Sequence, residues 1–251
     1  MTWTITPLEF WAAWETLGRD RMPFPLSFRA EAETLVEFDR DRRAAATGLV
    51  ARMGSDDSLY HALRAIAHAD VRIEMFGYRR DGRDRMIRAC AAIESDAGAV
   101  AAQFPGRHFA EGGNLRIDLC SPQTVVSRLL SVLPSTPPGR GPVVDIHRDE
   151  FNRPAAPRSH RRSVGEHATR LLTRAFHAYA EIRVDTGPAL DGSTDKGVQV
   201  CVVDYVDDGR YLIRESDRIE AIPARADRIQ QEVQRMVDRA IVEARETAWR
   251  R

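Results

Sequence analysis

Apolar residues along this chain recur with two periods, and the switch between them happens twice. The first helical stretch opens at Thr6, where a side-chain acceptor precedes Pro7 and Glu9, a proline at the first turn and an acid near the positive end of the dipole. Leu8, Trp11 and Ala12 fall on one side of it, Phe10, Trp14 and Leu17 on the other, and Gly18 is placed to end it. Pro23 to Phe28 cannot be helical and is expected to be an extended edge strand, where prolines cost no ladder bonds. Helical spacing returns from Thr34 to Met53 and again after Ser55-Asp56-Asp57, with Leu59, Leu63 and Ile66 on one face. These helices are expected to cover a face of a sheet.

The period then drops to two. Val71, Ile73 and Met75 alternate with Arg72, Glu74 and Phe76, and Asp81-Gly82 is a hairpin signal. Met86 to Ile93, Gly98 to Phe104 and Leu115 to Leu119 continue the meander, and Ser121 opens a helix carrying Val125, Val126, Leu129, Leu130 and Leu133. Residues 134–142 follow, with four prolines and two glycines, a composition that fits neither a helix nor a central strand. Past this joint the order repeats. A short strand is expected at Val143 to Ile146, a helix from Val164 to Phe176, and a strand where Ala178, Ala180, Ile182 and Val184 alternate with polar residues. A polar turn at Asp191 to Gly197 and strands at Val198 to Val206, Arg210 to Arg214 and Arg218 to Ile222 complete the second meander. The last helix is expected to open at Pro223, with Ile229, Val233, Met236, Val237, Ala240, Ile241 and Ala244 forming one apolar stripe. A repeat of roughly 100 residues is too long for a solenoid unit. Two related halves, 1–133 and 143–251, sharing one sheet in a single domain is the better reading. The strand connections are too short for parallel crossovers, so the expected class is α+β with a central, mainly antiparallel sheet and flanking helices.

The 37 basic and 37 acidic residues cancel, so no global field draws the chain to nucleic acid or an anionic membrane. Lys196 is the single lysine among the basic residues, an arginine bias that points to a GC-rich bacterial genome. No apolar run approaches the ~20 residues of a membrane span, and the first residues predict no secretion signal. Cys90, Cys120 and Cys201 have no CxxC spacing and are expected to be reduced thiols, Cys90 and Cys201 packed mid-strand. The seven histidines form no HxH or HExxH pattern, and the glycines form no phosphate cradle. No catalytic residue, metal site or cofactor is therefore expected, and a binding protein is favoured over an enzyme. Arg148 to Arg162, rich in arginine and proline, is read as a mobile loop, and Arg158-Ser159-His160-Arg161-Arg162 within it could meet phosphates.

One ordered set of motifs resembles the EspG proteins of actinobacterial type VII (ESX) secretion. It comprises Trp3 with Thr6-Pro7-Leu8-Glu9-Phe10, Trp14-Glu15-Thr16-Leu17-Gly18, Met22-Pro23-Phe24-Pro25-Leu26 and the strand from Gly98 to Gln103. The proline-rich joint, Asp208-Gly209-Arg210-Tyr211 and the stretch from Pro223 to Arg228 complete it. The resemblance spans essentially the whole chain. It implies a quasi-twofold fold of two halves and a cytosolic chaperone that grips the helical tip of the PPE subunit of a PE–PPE heterodimer, keeps it soluble and delivers it for secretion. The segments Arg148 to Arg162 and Glu246 to Arg251 match no motif general to the family and leave the client open.

Two regions are expected to touch the partner. The first is the hairpin turn with Tyr78, Arg79, Arg80, Asp81 and Arg83, whose counterpart in the family is a variable loop near the client. The second is the later meander and last helix with Tyr205, Arg210, Tyr211, Arg235 and Arg239. Tyrosine and arginine are typical interface anchors. The competing reading is a nucleic-acid or regulatory binding protein that uses the loop 148–162, and its mark would be a steep loss of affinity with salt.

Overall fold

The computed structural model describes residues 1–82, 84–151, 164–190, 192 and 196–249. The first half runs β1 (Thr2–Ile5), α1 (Pro7–Glu15), α2 (Leu35–Met53), α3 (Ser58–Ala67), β2 (Val71–Arg79), β3 (Arg85–Glu94), β4 (Ala97–Pro105), β5 (Gly112–Cys120) and α4 (Pro122–Leu130). The second runs β6 (Val144–His147), α5 (Arg148–Phe151), α6 (Val164–Leu172), β7 (Phe176–Thr186), β8 (Val198–Tyr205), β9 (Arg210–Glu215), β10 (Arg218–Pro223) and α7 (Ala226–Trp249). All ten strands join one sheet in the order β1-β5-β4-β3-β2-β7-β8-β9-β10-β6, and every neighbouring pair is antiparallel. The fold is α+β. From the central β2–β7 seam outward, each half places its strands in chain order and then tucks its earliest strand at the edge.

Alternation decides what each face of the sheet holds. Val71, Ile73 and Met75 on β2 and Ile182 and Val184 on β7 point to one face, where α4 and α7 close over them with Val125, Leu129, Ile229, Val233 and Val237. The stripe read on the last helix is this contact. On the opposite face there are two separate cores. Phe10, Trp14 and Leu63 from α1 and α3 cover Cys90, Ala92, Ala99, Leu115 and Ile117 in the first half. Ala168 and Leu171 from α6 meet Val203, Tyr205, Tyr211, Ile213 and Ile219 in the second.

The helix starts at Thr6 and Thr34 are capping boxes, each threonine accepting from the backbone N–H three residues on while that glutamate accepts from the threonine's own N–H. Three expectations need correcting. Pro23 to Phe28 is not a strand: Pro23 and Pro25 have no N–H to give, and the segment is held instead by Phe24 N–H donating to the Leu190 carbonyl (2.7 Å) and by Ser27 bonding Gln103. The edge strand of this half is β1, paired with β5. Pro223 does not open the last helix but ends β10 opposite Tyr211, and α7 begins at Ala226. Arg148–Phe151, read as part of a mobile loop, is a short helix, while 152–162 lie outside the described residues.

The joint is not a loose tether. Pro138 forms a parallel bridge with Arg210, and Arg210 N–H donates to the Pro137 carbonyl at 2.8 Å. The Arg210 guanidinium reaches the Pro134 carbonyl at 2.7 Å, and Gly139 and Gly141 lie against the Tyr211 ring. Arg210 and Tyr211 are consecutive in β9 and so face opposite sides of the sheet. The joint is thus fastened on both sides of one strand end.

Candidate interaction surface

Between the two cores of the second face lies a central strip contributed by alternate residues of β2 and β7. The cross-strand partners are Arg72 with Asp185, Glu74 with Arg183, Phe76 with Glu181 and Tyr78 with Tyr179. Among the described helices, α3 packs over β3, β4 and β5 and α6 over β6, leaving β2 and β7 without a helical cover of this kind on that side. The strip is charged at one end and aromatic at the other.

The charged end is internally compensated. Arg72 Nε donates to Glu74 (3.3 Å), its Nη1 donates to the Thr186 carbonyl (2.6 Å), and its Nη2 to Asp185 (2.5 Å). Burial pushes the Glu74 carboxyl above the ordinary range, and the Arg72 and Arg183 charges only partly offset that. Arg183 Nη2 is shared between Glu181 (2.8 Å) and the Gln199 side-chain oxygen (2.5 Å). Phe24, Glu74, Phe76, Glu181 and Arg183 line a hollow of about 250 Å3 here.

The aromatic end is a ladder of rings drawn from distant parts of the chain. Phe24 meets Phe76 at 5.6 Å between centroids, Phe76 meets Tyr78 edge-on at 6.0 Å, and Tyr78 stacks on Phe109 at 6.0 Å. Tyr78 also stacks on Tyr179 (6.4 Å), which meets Phe176 (6.1 Å), and the Arg80 guanidinium sits over the Phe176 ring at 4.6 Å. Phe76, Tyr78 and Tyr179 are half-buried, whereas Phe109 is 48 % exposed and Arg80 is exposed. Arg80 N–H donates to the His177 carbonyl at 2.7 Å, so the β2–β7 seam continues into the hairpin turn and fixes it over the ladder. Arg79 and Arg85 both donate to Asp81. The Arg79 bond is the main reason that the Asp81 carboxyl is held down at about 2, although partial burial opposes it.

The residues expected to touch a partner therefore fall in three places. Tyr78, Arg79, Arg80 and Asp81 stand together at the aromatic end of the strip, and Arg83 lies outside the described residues. Tyr205, Arg210 and Tyr211 are inside the molecule, with 4 %, 4 % and 0 % of their surface exposed. Arg210 holds Asp204 through two bonds (2.6 and 2.7 Å), and Tyr211 Oη donates to Asp208 (3.0 Å) while accepting from Gly141 N–H (2.9 Å). Arg210 and Tyr211 fasten the joint, and Tyr205 packs edge-on against Tyr211 with 5.5 Å between ring centroids. Arg235 and Arg239 are exposed on α7, on the other side of the sheet, where Arg235 pairs with Glu232. They form a separate patch.

Sequence reading missed Phe24, Phe76, Phe109, Phe176 and Tyr179. The period of two did place Phe76 on the face away from Ile73 and Met75, and that was the available signal. The rest depended on strand order. Buried Cys90 has its thiol pushed far up by desolvation, and Cys201 is raised by burial beside Tyr179. Neither is an activated nucleophile. Among the described residues no group of three or more His, Cys, Asp or Glu side chains could hold a metal ion, and no helix is long and apolar enough to cross a membrane. A family model described as the EspG family matches residues 6–235 of the chain. No curated protein matches it.

Proposed function

The chain belongs to the EspG family of ESX-associated chaperones, and from that premise we propose that it works in the cytosol on a PE–PPE heterodimer. It binds the helical tip of the PPE subunit, keeps it soluble and hands it to the type VII secretion machinery. The observation that supports this reading most is the aromatic ladder on the face of the central strands opposite α4 and α7. Rings held by neighbouring rings lose little conformational freedom on binding and bring a large apolar area together with hydroxyl groups for the polar edge of a helix end. An exposed apolar tip on a client is an aggregation hazard, and a sheet face of this kind covers it. Arg80, and Arg79 braced by Asp81, supply a charged rim that sets which tips fit.

The test is co-expression with the PE–PPE pair encoded nearest this chain's gene, followed by size-exclusion chromatography with light scattering. One chain with one heterodimer is the expected complex. In calorimetric titration Phe76→Ala and Tyr78→Ala should each cost about 2 kcal/mol, the scale of an interface hot spot, or roughly thirtyfold in Kd. Arg80→Glu should weaken binding with little change in Tm. Full affinity in all three folded variants would remove the ladder from the interface. Elution of the wild-type chain apart from every available pair would sink the reading itself.

A further inference from the structure

Among the described residues three arginines are buried, Arg72, Arg88 and Arg210, with 5 %, 7 % and 4 % of their surface exposed. A guanidinium keeps its charge inside a protein, so burying one without a counter-charge is costly. Two of the three are paired, Arg72 with Glu74 and Asp185 and Arg210 with Asp204. Arg88 is not. Its one hydrogen bond among the described residues runs from Nη2 to the Ala110 carbonyl (2.9 Å), and no carboxylate of theirs lies within ion-pair distance of it. Desolvation pushes its pKa down, and no neighbouring charge offsets the push. Nor does it lie over a ring, since the guanidinium–ring contacts among the described residues are Arg80 on Phe176 and Arg174 on Tyr205. Arg88 stands on β3 between Phe76 of β2 and Gln103 of β4, its cross-strand partners. Gln103 is already committed: its Nε2 donates to the Ser27 and Gly113 carbonyls, and its Oε1 accepts from Ser27 N–H. The side-chain donors sealed from solvent without a partner are Arg85 Nε, Arg183 Nη1 and Arg214 Nε among the described residues. The unbonded Nε and Nη1 of Arg88 are not in that set, so both still reach solvent.

We propose that Arg88 receives a carboxylate carried by the client, an aspartate or glutamate side chain at the edge of the apolar tip that lies on the ladder. The inference rests on the chaperone reading and adds the place and chemistry of one polar anchor. Position argues for the client as the source. Arg88 is directly opposite Phe76, and the Ala110 carbonyl that it holds follows Phe109, the rung stacked on Tyr78. A tip that covers these rings brings its own polar groups over Arg88. Chemistry argues for a carboxylate. The guanidinium is a planar fork, and a carboxylate takes two of its N–H groups in parallel. A neutral carbonyl fills a donor and leaves the charge unmatched, as that of Ala110 already does. The anchor is also selective, because a tip without the acid covers an unneutralised charge.

Arg88→Gln removes the charge and keeps an amide donor for the Ala110 carbonyl. With the PE–PPE heterodimer as titrant, this variant should keep its Tm and lose about tenfold or more in affinity. Each Asp and Glu of the PPE tip is then changed in turn to Asn or Gln. One of these changes should cost the wild-type chain about tenfold and cost Arg88→Gln almost nothing, the mark of a direct pair. If Arg88 served only to hold the loop at Ala110, its loss would weaken every client variant alike. Full affinity in folded Arg88→Gln, or a scan in which no acid couples to residue 88, overturns the proposal. If Phe76→Ala still weakens binding in that case, the chaperone reading stands without it. A wild-type chain that binds no heterodimer overturns both. Should Arg88→Gln fail to fold, a crystal structure of the wild-type complex decides the matter. A client carboxylate about 2.8 Å from the Arg88 guanidinium supports the pair, and a complex with no client carboxylate at that guanidinium overturns it.

Discussion

The most tightly determined side chains are those that hold the joint. Asp204 and Arg210 are both buried, and a lone charge there would be expensive, so the two are paired with each other. Arg210 grips both oxygens of Asp204 in a fork, Thr136 donates at 2.8 Å to the same Asp204 Oδ2 that Arg210 Nη2 reaches, and the guanidinium also reaches the Pro134 carbonyl. On the other side of the strand Asp208 accepts from Arg140 N–H (2.7 Å), Arg174 (2.6 Å) and the Tyr211 hydroxyl. Gly139 is required there, since a Cβ would lie 2.0 Å from the Tyr211 ring. Burial raises the Asp208 carboxyl, but these three donors outweigh it and hold its pKa below the ordinary value of 3.8. A carboxylate depressed in the folded state stabilises above its unfolded pKa, and the contribution fades as pH falls through the folded one. Asp208→Asn should therefore destabilise by about 1–3 kcal/mol at neutral pH, and the gap in Tm from wild type should narrow below about pH 4. A gap that stays constant from pH 7 to 3 would show that charge has no part in the clamp.

At the level of elements, local chemistry was legible and pairing was not. The cap at Thr6, the alternation along β2 and the stripe on α7 each lie within one short stretch, and each reads from spacing alone. The strand β1 is four residues long and finds its partner β5 far along the chain, so no local period could announce it. Pro223 reads as a helix start because proline suits that place, yet the β10 ladder with β9 extends through it and defers the helix to Ala226. The ladder of rings was invisible for the same reason as β1, since Tyr78 meets Tyr179 only because β2 pairs with β7. That seam has a tight point at Gly77, opposite Ala180, where a Cβ would come 1.9 Å from the Tyr179 carbonyl oxygen. Gly77→Ala should force the two strands apart beside the ladder and cost about 1–3 kcal/mol, as overpacking does. Chemical denaturation would measure it. An alanine variant as stable as wild type would mean that the seam gives way easily and does not fix the ladder's spacing.

For the whole molecule, the order of the sheet makes the site a product of both halves. The aromatic strip needs β2 from one and β7 from the other, and the face behind it is closed by α4 and α7 together. We read the chain as one domain of two related halves, 1–133 and 143–251, with the clamped joint keeping the second half's strand end in register. A ten-stranded sheet cut at its centre would leave β2 as a long free edge bearing Ile73 and Met75 on one side and Phe76 and Tyr78 on the other. Such an edge is a template for aggregation. Residues 1–133 expressed alone should thus be insoluble or oligomeric, and co-expression with 143–251 should recover a soluble one-to-one complex that binds the heterodimer. The outcome that would count against this is a monomeric, cooperatively unfolding fragment 1–133. It would show that the first half carries its own stability, and that the seam is a docking surface between two domains instead of the middle of one.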